Sequence, residues 1–404
     1  MTHFLLHNVL IETAYSGPLD YPTGTQTQTF TLEIQSGKVK QLFSAGQQLP
    51  DLPIVEGKGA LLLPTLKEWH CHLDKSKLGV PWTPITPANT LAERFTNEIK
   101  ELDALSVPLK TRARHLLETE LSHGVTAIRS HVDVHPAVGQ RYLDEIMTLL
   151  QEYRGYLDYE LVAFPQHGLL RSTAYQEVDQ ALANGATLIG GVDPESLDGD
   201  AHASLAQTFE LAVKHDAPID IHVHDRAEAG RKTVRELIGY TKQANWQGKV
   251  AISHAFGLND FTGIERQEIF AEMGSLGIEV ISSVPIDGVI PPLLELAKAG
   301  VTVHLGCDNV YDSWSPFGSG NILEKLTRYC ELFRQRGQRE LTDSLQLITT
   351  AYGLDHEPIP WIQTGMAATF SLVDASCTAE FIARMKPVVG SYFCGKDVFA
   401  KWVK

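Results

Sequence analysis

The sequence predicts an α/β protein built around a (β/α)8 barrel. Three observations carry this: eight short β-rich runs recur along the middle of the chain, amphipathic stretches with helical spacing lie between them, and six of the eight runs end in histidine or a carboxylate. Strict alternation of strand and helix makes neighbouring strands parallel, and such units close most naturally into a barrel of the TIM type. An open doubly wound sheet satisfies the same alternation. Polar residues at so many strand ends suit one convergent site at a barrel mouth better than a single crevice.

Residues 1–60 alternate strands and turns (HFLLHNVLIET, QTFTLEIQSGKVKQLF), and residues 365–404 return to that pattern (AATFSLVDA, VVGSYFCGKDVFA). The two ends are expected to pair as a small β-sandwich domain, beside a barrel spanning 61–364. The first barrel strand lies in LLLPTLKEWHCHLDKSKLG, which begins at Leu61. Then follow TAIRSHVDV from Thr126, YELVAFPQ from Tyr159, TLIGGVD from Thr187, PIDIHVHD from Pro218, VAISHA from Val250, IEVISSV from Ile278 and VTVHLGCD from Val301. Helical stretches such as LDEIMTLLQEYRGYL and LAQTFELAVKHD separate them, and in LSHGVTAI and LANGATLI a glycine joins helix to strand.

A net charge of −15 over 404 residues argues against nucleic acid or an anionic membrane as partner, because phosphate binding needs clustered Lys and Arg. The first residues lack a signal peptide's pattern, and no run of eighteen apolar residues follows. The expectation is a cytoplasmic enzyme with a small-molecule substrate. Five cysteines without CxxC spacing indicate neither a disulfide framework nor a thiolate zinc site.

The chemistry concentrates at the strand ends. His70 and His72 in HCH are two apart, so on a strand both face the barrel interior, while Cys71 points into the wall, as Cys307 does beside Asp308. His222 ends the fifth strand, His254 the sixth and Asp308 the eighth. Imidazoles with one carboxylate suit a divalent metal such as zinc or iron, which would acidify a water molecule for attack.

The order HCHLDK, HVDV, AFPQ, IDIHVHD, SHA and GCDNVYDSW resembles the amidohydrolase superfamily, and within it the cytosine deaminase group. The resemblance implies one metal ion held by His70, His72, His222 and Asp308, with His254 hydrogen-bonding the attacking water and Asp308 helping to move its proton. It implies Gln166 at the amide edge of a heterocycle, Phe164 and Trp314 as apolar walls, and a homo-oligomer. Where that group carries a proton-shuttling glutamate, this chain has Asp225, one methylene shorter. Asp225 is either the acid/base or the cap of the helix that follows, in which case His224 is an alternative shuttle. Asn309 stands where the group has an aspartate; an amide both donates and accepts, so the base edge read here need not be that of cytosine. Lys75 either contacts a substrate oxygen or pairs with an acid such as Asp74. For His131, Asp133, Asp193 and Glu195, bonding within the loops is the plainer role.

The function expected is metal-dependent hydrolysis of a C–N bond in a small nitrogen heterocycle or cyclic amidine, as a deaminase. Hydrolysis of an amide is the enzymatic rival, and a non-catalytic binding barrel the rival of another kind.

Overall fold

A computed structural model of the protein describes residues 2–286, 288–350, 352–355 and 359–402. The eight barrel strands are Leu66–Cys71, Val125–Asp133, Asp158–Phe164, Leu188–Val192, Ile219–His222, Val250–Ser253, Glu279–Ser282 and Val303–Leu305. They pair in chain order as one parallel sheet. Segments such as LIGGV and VAIS are buried at every position, as expected where helices cover one face and the barrel interior the other.

Between the eighth strand and the first there is no regular ladder. The barrel closes through a single bridge, Cys71 with Asp308, in which the Asp308 N–H donates to the His70 carbonyl at 2.6 Å. The buried Glu68 carboxylate completes the seam by accepting from the backbone N–H groups of His70 and Cys307, both at 2.9 Å. The strands approach so closely that a Cβ on Gly306 would lie 2.4 Å from His70 Cβ and 2.7 Å from His70 N. Gly306→Ala is therefore expected to destabilise the protein by about 1–3 kcal/mol, the usual cost of overpacking, and to loosen the grip of His70 and Asp308 on a metal. Unchanged melting temperature and metal content would show that the seam yields cheaply.

The connection after the first strand holds more than its return helix, Leu109–Ser122. It also carries the helix Leu91–Ala104, capped at its start by the Thr90 hydroxyl, with Phe95, Glu98 and Leu102 on the buried face. This added helix sits at the mouth, and Leu91 and Phe95 contribute to the cavity there.

The chain ends pair as expected, into an eight-stranded sheet of their own. His3–Ser16 bonds to Gly24–Gln35, Ile54–Glu56 and Leu61–Leu63, and the last of these bonds to Phe370–Val373. The sheet curls over. Lys38, at the start of its far edge strand Lys38–Ser44, bridges to Ala367, and the rings of Phe4 and Tyr392 lie 6.2 Å apart although three strand pairings separate their strands. Leu61–Leu63 thus pairs in this outer sheet, three residues before the barrel begins. Its alternation serves both cores: Leu62 packs into the core enclosed by the outer sheet, while Leu61 and Leu63 pack into the barrel cluster. All five cysteines are free. Among the described residues, no helix is long and apolar enough to cross a membrane.

Candidate metal centre

His70 lies on the first strand and His72 just beyond it; His222 ends the fifth strand, and His254 and Asp308 follow the sixth and eighth. The structure brings all five together. The four imidazoles are at most 5% exposed. Ligand-capable atoms of His70, His72 and Asp308 lie within 4.8 Å of one another, as do those of His70, His222 and His254. Nε2 of His70 and of His72 stand 3.6 and 3.4 Å from Asp308 Oδ1.

The backbone is strained where it delivers these groups. His254 and Asp308 have φ of +67° and +61°, left-handed conformations that cost a non-glycine residue roughly 1–2 kcal/mol. The ring of His70 is oriented from behind: Ser253 Oγ donates to Asp220 Oδ1 at 2.7 Å and so accepts from His70 Nδ1 at 2.8 Å. Arg129 holds the other oxygen of Asp220 at 2.9 Å. With its proton on Nδ1, His70 presents the Nε2 lone pair to the mouth.

Burial pushes the pKa values of His72, His222 and His254 down, well below the ordinary range for the last two, so the imidazoles are neutral. For Asp308 burial acts upward, but the adjoining histidines, His254 first and then His70 and His72, outweigh it and hold the carboxyl well below its usual range. Nε2 of His70 and of His254 and both ring nitrogens of His222 are buried with no hydrogen-bond partner among the described residues. Each such atom costs about 1–3 kcal/mol if nothing meets it. Neutral imidazoles and an ionised carboxylate, converging with unmet nitrogens, fit a borderline divalent cation.

Above the cluster opens a cavity of about 370 Å³. Lys75, Phe164, Gln166, Asn309 and Trp314 all line it, as does His224. Asp225 is not among its lining groups. The carboxylate of Asp225, expected as acid/base or helix cap, turns aside and accepts from the backbone N–H of Ser196 at 3.1 Å. The fifth strand ends at His222, and in the loop beyond it His224 lines the cavity while Asp225 is tied to Ser196.

His224 is itself held. Nδ1 lies 2.9 Å from Asp193 Oδ2, and Asp193 Oδ1 accepts from the backbone N–H groups of His224 and Asp225 at 2.6 and 3.0 Å. Burial acts to lower the pKa of His224, and the bond to Asp193 more than offsets it, leaving it raised. Asp193, which sequence reasoning left to loop bonding, thus orients a group facing the cavity from a backbone φ of +39°. Glu195 keeps the structural role expected, pairing with Lys232 and accepting from the N–H of Ala201.

Lys75 pairs with Asp133 at 3.0 Å and with Glu98 at 3.2 Å, and Asp74 instead accepts from the Asp133 backbone. Glu98 was not foreseen. Its signal was faint: in LAERFTNEIKEL it is a carboxylate between Phe95 and Leu102 on an apolar stripe, where helical spacing predicts another apolar residue.

Residues 192–376 match the model of the Amidohydrolase family. Over 98% of its length the chain is 36% identical to the uncharacterized protein YahJ of Escherichia coli (strain K12), covering 88% of that protein. Among solved structures, N-isopropylammelide isopropylaminohydrolase from Burkholderia multivorans is 30% identical and superposes with a TM-score of 0.85 over 98% of both chains. The 5-methylcytosine deaminase of Klebsiella pneumoniae, liganded with 5-fluorocytosine, has the same fold at 22% identity and a TM-score of 0.81, over 98% of this chain and 97% of that one.

Proposed function

Because this chain belongs to the amidohydrolase family and is a hydrolase of C–N bonds, we propose that it removes an exocyclic amine from a small, planar nitrogen heterocycle, as a deaminase or alkylaminohydrolase. One observation carries the reading: the imidazoles of His70, His72, His222 and His254 meet Asp308 at the floor of a cavity whose wall presents a further, separately held histidine, His224. In this reading His70, His72, His222 and Asp308 hold one divalent ion, zinc or iron. When bound, that ion supplies Lewis-acid polarisation and acidified water.

The protein's own groups do the rest. His254, its Nε2 without another partner among the described residues, orients the attacking oxygen. With Nδ1 engaged by Asp193, His224 has Nε2 left for the cavity, from which it moves a proton to the departing nitrogen. Asp193 fixes that tautomer and steadies the charged ring. Phe164 stacks on His222 with centroids 4.3 Å apart, closing one side to water. Leu91, Phe95 and Val192 make the rest of the lining apolar enough to take a short alkyl group on the leaving amine, which fits the isopropylamine-releasing relative named above.

The test is amine release by metal-loaded protein from cytosine, 5-methylcytosine and N-isopropylammelide, with ammonia and isopropylamine measured separately. Release from at least one is expected. Hydrolysis of simple amides without any release from heterocycles would sink the reading.

A further inference from the structure

Glu98 gathers three donors from three different barrel loops. Trp314 Nε1 donates to Oε1 at 2.7 Å, and Gln166 Nε2 and Lys75 Nζ donate to Oε2 at 2.5 and 3.2 Å. The carboxylate is 1% exposed, and it arrives on the added helix Leu91–Ala104. A counter-ion for Lys75 alone would not require this, since Asp133 already serves at 3.0 Å.

We infer that Glu98 is a positioning residue that makes this wall read a lactam edge, an N–H beside a C=O, on the heterocycle. The inference rests on the heterocycle reading above and narrows it. A carboxylate only accepts hydrogen bonds, so the end of the Gln166 amide that meets it must be NH2. The carbonyl end of Gln166 then faces the cavity as an acceptor. Lys75 has three N–H donors; Glu98 and Asp133 engage two, and one is left for the cavity. Acceptor and donor stand side by side, because Gln166 and Lys75 bond the same oxygen, Oε2. A ring N–H opposite Gln166 and a ring carbonyl opposite Lys75 satisfy both. The indole of Trp314, held by its own bond to Glu98, supplies a flat apolar surface for the same ring. With the carboxylate replaced by an amide, Gln166 could turn over and present NH2, and the wall would lose its preference.

A charge-swap cycle tests this with metal-loaded protein, using N-isopropylammelide, its ring-N-methylated derivative and cytosine as probes. Q166E sets two carboxylates face to face and should lower kcat/KM by about 100-fold or more, while E98Q should raise KM about tenfold with kcat changed much less. These are sizes usual for a broken buried hydrogen bond. The double variant E98Q/Q166E restores a donor at 98 facing an acceptor at 166, with a carboxylate oxygen still turned to the cavity. It should recover at least about tenfold over Q166E, within the range of contact coupling. Wild-type protein should reject the N-methylated probe, and E98Q should narrow that ratio. A double variant no better than Q166E overturns the inference. So does E98Q lowering the melting temperature while leaving KM and the N-methyl ratio unchanged. Melting temperatures of the same four proteins read the coupling without substrate. Coupling without hydrolysis of any probe refutes the heterocycle reading, and with it the substrate edge; hydrolysis without coupling refutes the role of Glu98 alone.

Discussion

His70→Ala is expected to abolish hydrolysis and empty the protein of bound metal while leaving the barrel folded. A residue that merely orients a metal ligand is typically worth about 10–100-fold, so losing a ligand should cost well over 100-fold. The fold should survive because the seam beside His70 is held by backbone groups: Glu68 accepts from the His70 N–H, and the His70 carbonyl accepts from Asp308. Asp308→Asn should act in the same direction. Asparagine is the right replacement there, because Asp308 sits at φ +61°, a conformation that Asn tolerates far better than Ala. Activity assay, elemental analysis and a thermal melt on each variant decide the matter. Full turnover in metal-free protein would remove the metal from the mechanism, and global unfolding of both variants would mark the residues as structural supports.

Second in size is the effect of His224. His224→Asn should keep metal content and melting temperature close to wild type and lower kcat by about 10²–10⁴-fold, the usual worth of a positioned acid/base. Asp193→Asn should follow it by a smaller factor, since it loosens the ring without removing it. Asp225→Asn should stay within a few-fold of wild type, because its carboxylate serves the Ser196 N–H outside the cavity. The reverse ranking, with Asp225→Asn the more damaging, would return the proton transfer to Asp225 and require that loop to rearrange when substrate binds.

The Asp225 case shows how much of the site was legible. His70, His72, His222, His254 and Asp308 could be read directly, because each sits at or just past the end of a barrel strand, where side chains meet at the mouth. In HVHD only His222 is on the strand, and the loop beyond it sets the directions of His224 and Asp225. The acid/base expectation for Asp225 came from the resemblance, and its carboxylate accepts from the Ser196 N–H.

Strand and helix periodicity along the chain sufficed for the barrel, the pairing of the chain ends and the gathering of histidines at the strand ends, since these follow from regular repeats and from residues at the ends of regular elements. Other features depended on groups far apart in sequence meeting in space. Leu61–Leu63 reads as one apolar run with the barrel strand, and only its partners, Phe370–Val373 and His3–Ser16, assign it to the outer sheet. Glu98 looks like any helical glutamate until Lys75, Gln166 and Trp314 are seen to converge on it across separations of 23, 68 and 216 residues. Periodicity reports which face of an element is buried, but a buried carboxylate takes its meaning from the donors that surround it, and those are chosen by the packing of the whole barrel.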